Sequence, residues 1–335
     1  MFENGGLTVY LNQNFEAKLE LVLEKRKAMM KTVDPSIEEV KHVHDVIMEE
    51  TINMVMEKVE SEWGEPPAHF AFFILGSGGR GEQLYWSDQD HGIVYEGETS
   101  EKKQSYFLHL GQVIVEALVL VGYEECEGKV MASNPMWCQS FEAWQEQIHG
   151  WLQQDNWENI RHTLTLFDAQ TFIGEEQLVE KIKAIIFQAV DENPQLMQRF
   201  IDNTGRMKKG IGLFGQLLLE NKGLNQGKLD LKQIASFPYV NGLRLLAIQE
   251  EIQDAATLHR FRKLSPFYDE VKSYEKDFRE LLTKQLQWQK DVKTYESIHY
   301  LDVTQLSKED KRLLKKWIKR GQTLYKRIQV HVEEG

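Results

Sequence analysis

Phe70-Ala71-Phe72-Phe73-Ile74-Leu75-Gly76-Ser77-Gly78-Gly79-Arg80-Gly81-Glu82-Gln83, followed closely by Ser87-Asp88-Gln89-Asp90, is the stretch on which the reading of this chain turns. The opening apolar run has the length of a strand, and its continuous hydrophobicity fits one buried on both faces. The glycines after it let backbone N–H groups turn toward an anion with no Cβ in the way, and a helix starting there adds its positive end. Gly76, Ser77, Gly78 and Arg80 are the candidate phosphate contacts, Ser77 through its hydroxyl and Arg80 through its guanidinium. Asp88 and Asp90 stand two apart, so on a strand both carboxylates point to one face, as a hard divalent cation such as Mg2+ requires.

Two familiar phosphate motifs do not fit. Gly76, Gly78 and Gly81 spell GxGxxG, and Glu96 lies near the distance at which a dinucleotide fold wants an acidic residue. Only residues 82–87 separate the loop from the next strand, however, and a parallel crossover needs a dozen or more with a helix of several turns. A Walker loop fails because no Lys followed by Ser or Thr closes the glycine run.

Upstream, residues 14–63 read as helices, with Val40, Val43, Ile47, Met54 and Val55 near helical spacing. Asp34-Pro35-Ser36 interrupts them and starts the second helix, whose first turn carries Glu38 and Glu39. Downstream, 88–95 reads as a second strand, 103–121 as an amphipathic helix and 163–168 as a later strand. Beyond about 175 the pattern is helical, with leucine-bearing stretches at 212–220, 243–252, 278–288 and 308–328. The expected fold is α+β: an N-terminal helical segment over 1–63, a small mixed-sheet core over 64–180 and an all-helical domain over 181–335.

Composition narrows the class. With 335 residues, 41% hydrophobic, 27% charged and only seven prolines, the chain is globular and large enough for two domains. Two cysteines, Cys126 and Cys138, form neither a disulfide framework nor a CxxC metal pair, and read as reduced thiols. No secretory signal opens the chain and no apolar run is long enough to span a bilayer, so a cytoplasmic protein without membrane contact is expected. The net charge of -12 argues against nonspecific nucleic-acid binding. Nine Lys or Arg between 308 and 327 read as a solvated basic helix face.

Leu75 to Gln83, then Ser87 to Asp90, then Ile93-Val94-Tyr95, resembles the polymerase-beta-like nucleotidyltransferases, and within them the PII-uridylyltransferase-like branch. Residues 130–137 and 165–168 look like later blocks of that family. Residues 212–215, 229–232 and 244–247 resemble its helical substrate-binding domain. The resemblance implies Gly76, Ser77 and Arg80 at the triphosphate, Asp88 and Asp90 at Mg2+ or Mn2+, and a third carboxylate on a later central strand. Asp168 is the candidate for it, as metal ligand and base for the acceptor hydroxyl.

Where relatives commonly carry a small amide residue this chain has His91, read as an exposed histidine that could touch phosphate. His44-Asp45, the signature dipeptide of phosphohydrolase domains, sits on an amphipathic helix without an upstream metal cluster and is not read as a site. Lys129, Arg206, Lys208 and Lys209 could neutralise phosphate, and Trp137 could stack on a base. The expected activity is metal-dependent transfer of a nucleoside monophosphate from a nucleoside triphosphate to an acceptor hydroxyl on a regulatory protein, releasing pyrophosphate. The alternatives are a catalytically silent nucleotide sensor or scaffold, and transfer to a small molecule.

Overall fold

The computed structural model describes residues 11–154 and 156–334. Two compact units emerge, one of residues 11–34, 38–147 and 169–182, the other of the remainder.

In the first unit, Asn12 caps helix α1 (Gln13–Thr32) by accepting from Phe15 N at 3.0 Å. Helix α2 (Ile37–Trp63) follows the Asp-Pro-Ser break, with Glu38 and Glu39 in its first turn. Strand β1 (Phe70–Ile74) is buried at all five positions, as its apolar run requires. It is followed by a single helical turn, α3 (Gly76–Gly79), strands β2 (Asp88–Gln89) and β3 (His91–Tyr95), and helix α4 (Glu101–Leu120). Strands β4 (Glu124–Glu125) and β5 (Cys138–Ser140), helix α5 (Phe141–Gln153), whose second half belongs to the second unit, helix α6 (Trp157–Leu166), wholly of the second unit, and strand β6 (Gln170–Gly174) of the first come next in the chain.

The main sheet is mixed, in the order β5-β3-β1-β6, with β1 antiparallel to both neighbours and β3 parallel to β5. One face of β1, through Phe70, Phe72 and Ile74, joins a core built from α1, α2 and α4: Leu19, Val22, Val43, Ile47, Phe107 and Leu110. Each such side chain contributes roughly 1.5–3 kcal/mol relative to exposure. On the other face Phe73 meets Trp144 edge-on at 6.0 Å. The helices expected as a separate segment over 1–63 therefore share the sheet's own core.

The second unit is mostly helical, but where helix alone was expected Leu229–Asp230 and Tyr300–Leu301 form a short antiparallel pair. Helix α9 (Phe237–Gln249) packs on the long helix Lys308–Glu334, where Tyr239 Oη donates to Trp317 O at 2.9 Å. Helices α7 (Glu176–Glu192), α8 (Gln195–Thr204) and α10 (Thr257–Lys263) precede and follow α9 in the chain. The architecture is α+β, as expected.

Two further elements differ from the sequence expectation. Residues 163–168 are not a strand: α6 begins at the Asn156 cap, which accepts from Glu158 N at 2.8 Å, and Ile160, Thr163 and Leu164 fall on one buried helical stripe. The β-branched residues are the last turn of that helix, and helical periodicity outweighed local β propensity. Residues 212–220 are not a helix either. Gly215 takes φ 75°, and an antiparallel bridge pairs Ile211 with Leu217, so the glycines turn the chain back on itself.

Candidate active site

The glycine run leaves β1 as a tight turn. Leu75 N donates to Asp90 O at 2.8 Å, Gly79 N to Leu75 O at 2.8 Å, and Glu82 N to Ser77 O at 2.8 Å. Gly76 sits at φ 54°, and a Cβ there would stand 2.2 Å from Asp90 Oδ2. The positive φ favours glycine, and the Asp90 carboxylate occupies the space a Cβ would take. Gly76, Ser77, Gly78, Asp88 and Asp90 are all half-buried, while the residues on either side of them are mostly sealed.

The expected strand over 88–95 is two strands in two sheets, with Asp90 at the join. Strand β2 pairs in parallel with β4, Asp88 opposite Glu124 and Gln89 opposite Glu125. The two carboxylates nonetheless converge, and Cys126 converges with them: donor atoms of Asp88, Asp90 and Cys126 all lie within 4.8 Å of one another. Burial pushes the Cys126 thiol up to about 12, reinforced by the Asp90 carboxylate, which it meets by charge and by hydrogen bond, and by Asp88. Two carboxylates against a glycine turn suit a divalent cation that keeps water and phosphate oxygens in its remaining positions. The residues present thus fit the metal that the sequence implies, and Cys126, read from sequence as a reduced thiol, lies beside the two carboxylates.

Arg80 is buried, and its Nε donates to Glu82 Oε2 at 2.8 Å, an ion pair within the loop segment. The aliphatic stem of Lys41 lies over Gly81, where an added Cβ would come within 3.1 Å of Lys41 Cδ, and its ammonium pairs with Asp45. Sequence reading had no signal for this cation, because α2 is remote from the loop in the chain.

A buried network braces the site from behind. His44 Nε2–H donates to Leu84 O at 2.7 Å, and its Nδ1 accepts from Tyr123 Oη–H at 2.9 Å. Arg26 donates to Val121 O at 3.0 Å and to Gly122 O, with its guanidinium 4.2 Å from the Tyr123 ring centre. The segments that lead into β2 and β4 are thereby tied to α1 and α2. Burial, then the Arg26 charge, holds His44 down at about 3. With both ring nitrogens engaged, His44 is structural.

His91 is not exposed: it is fully buried, Nε2 donating to Gln89 Oε1 at 3.0 Å and Nδ1 accepting from Ala132 N at 3.1 Å. Burial lowers it to about 3, so it is neutral and touches no phosphate. Trp137 is 1% exposed and packs edge-on against Trp144 at 5.8 Å, which removes it as a base-stacking platform. Lys129 pairs with Glu125 at 3.5 Å, Lys208 with Glu220 and Asp230 at 2.7 and 3.0 Å, and Arg206 covers the Trp157 ring at 4.2 Å. Lys209 is exposed.

Asp168 follows α6 in the helical unit, and the strand on which its catalytic reading rested is absent. Its carboxylate is fully buried, receiving Arg244 Nε and Nη2 at 3.2 and 2.5 Å and Arg260 Nη2 at 3.1 Å. Arg260 is itself fully buried.

A strand running into a glycine turn against paired aspartates, on a small mixed sheet, defines the protein as a nucleotidyltransferase-type core with a helical companion unit. The comparisons agree: residues 24–158 match the family "Putative nucleotidyltransferase DUF294", and residues 194–332 match the "Putative nucleotidyltransferase substrate binding domain" that accompanies it. The chain belongs to this family of two-module nucleotidyltransferases. No curated protein matches the chain. Among the described residues no helix is long and apolar enough to cross a membrane.

Proposed function

We propose that the core unit transfers a nucleoside monophosphate from a nucleoside triphosphate to a hydroxyl of a regulatory protein. The observation that carries the reading is the convergence of Asp88, Asp90 and Cys126 donors within 4.8 Å, with Asp90 seated against Gly76. The backbone N–H groups of Gly76, Ser77 and Gly78, with the Ser77 hydroxyl, would donate to triphosphate oxygens. Arg80 acts at one remove, holding the loop through Glu82. Asp88 and Asp90 would hold Mg2+ or Mn2+, which when bound neutralises charge on the phosphate oxygens.

The acceptor oxygen bonds to the α-phosphorus as the bond to pyrophosphate breaks, and the hydroxyl proton leaves to solvent. Asp168, sealed between two guanidinium groups, takes no part in this chemistry. A protein acceptor and a cytoplasmic setting are supported by the resemblance to PII-uridylyltransferase-like enzymes.

Incubation of pure protein with each labelled nucleoside triphosphate, Mg2+ or Mn2+ and cell lysate tests this reading. Label is expected on a lysate protein with one nucleotide and only with metal. Nucleotide binding without turnover would point instead to a sensor, and label on small molecules alone would remove the protein acceptor.

A further inference from the structure

Resting on the reading of Asp88 and Asp90 as the carboxylates that hold the cation, we propose that Cys126 is a third protein ligand and biases the site toward thiophilic divalent ions over Mg2+ and Mn2+. The parallel register places it there. Asp88 lies opposite Glu124 and Gln89 opposite Glu125, and Asp90 and Cys126, the residues that follow the two strands, bring their donor atoms together. The chain is held at that point by a turn, Lys129 N donating to Cys126 O at 2.9 Å with Lys129 itself at φ 54°. The Sγ atom comes within 4.8 Å of an oxygen of each aspartate. The chain's other thiol, Cys138, packs in the apolar core and, among the described residues, belongs to no such group.

Carboxylates alone favour hard cations and discriminate weakly among them, whereas a thiolate ligand adds affinity that grows with the softness of the ion. On coordination the S–H bond gives way to a sulfur–metal bond and the proton passes to solvent. Replacement of the sulfur by oxygen therefore changes the ranking of ions more than it changes binding as such.

Cd2+ is the probe, because a cadmium–thiolate pair absorbs in the ultraviolet and carboxylate ligands do not. The full chain is titrated with Cd2+ by absorbance and with Mn2+ by electron paramagnetic resonance, Mg2+ competing in each. The wild type is expected to develop the band to about one equivalent. Cys126→Ser should lose the band and about tenfold or more in Cd2+ affinity while holding Mg2+ as before, and Cys126→Ala should repeat the loss of the band. Cd2+ bound to the wild type without a band, or an equal band in both variants, overturns the proposal. If Mn2+ binds the wild type but not Asp88→Asn/Asp90→Asn and Cd2+ still gives no band, Cys126 alone is excluded. If neither ion binds the wild type, the metal reading falls with it.

Discussion

Asp88 and Asp90 in the sheet unit and Asp168 in the helical unit are the same side chain put to opposite uses. The first two are half-buried and gathered with a thiol against a glycine turn. The third is wholly buried and met by two arginines, one of them also wholly buried. A fully buried carboxylate satisfied by two guanidinium groups is a closed ionic unit, whereas half-buried carboxylates at a turn stay within reach of a ligand. On the proposed reading, the first pair is a ligand site and the buried carboxylate an anchor.

Substituting the anchor gives the largest expected effect on stability. Asp168→Asn leaves two arginines facing a neutral group, and a loss of about 3–5 kcal/mol is expected in urea unfolding. If that variant instead keeps its stability and loses transfer, Asp168 belongs with the chemistry and the contrast collapses.

A smaller effect sharpens the picture of what lies behind the site. His44 and His91 are held near 3 in the folded protein and return to about 6.5 when it unfolds. The unfolded chain therefore binds more protons as pH falls from about 6.5 toward 3, and stability is present above that window and lost within it. Each histidine contributes a slope of up to about 1.4 kcal/mol per pH unit. Urea unfolding between pH 6 and 4.5 should be less pH-dependent in His91→Gln than in the wild type; an unchanged slope would mean that His91 is protonated in the fold.

Much of the site was legible in sequence because its signals are local. The apolar strand, the glycine turn and the aspartate pair lie within 21 residues, from Phe70 to Asp90, and each follows from backbone sterics or strand geometry. The strand break at Asp90 was not legible, since it depends on β2 leaving the main sheet to pair with β4. Cys126 and Lys41 reach the site only through tertiary structure, one by parallel pairing and the other from α2. Asp168 was misplaced because Thr163, Thr165 and Phe167 favour a strand locally while Ile160 and Leu164 set a helical stripe that prevails. His91 was assigned a role that suits an exposed imidazole, and burial against Gln89 overturns that exposure.

The most direct test of the central claim is pyrophosphate release from a nucleoside triphosphate and acceptor, measured for the wild type and for Asp88→Asn/Asp90→Asn with the thermal midpoint of each. Metal-dependent release in the wild type is expected to vanish in the double variant while the midpoint stays nearly unchanged. Equal release by both proteins would contradict the assignment of Asp88 and Asp90 as the centre of the chemistry.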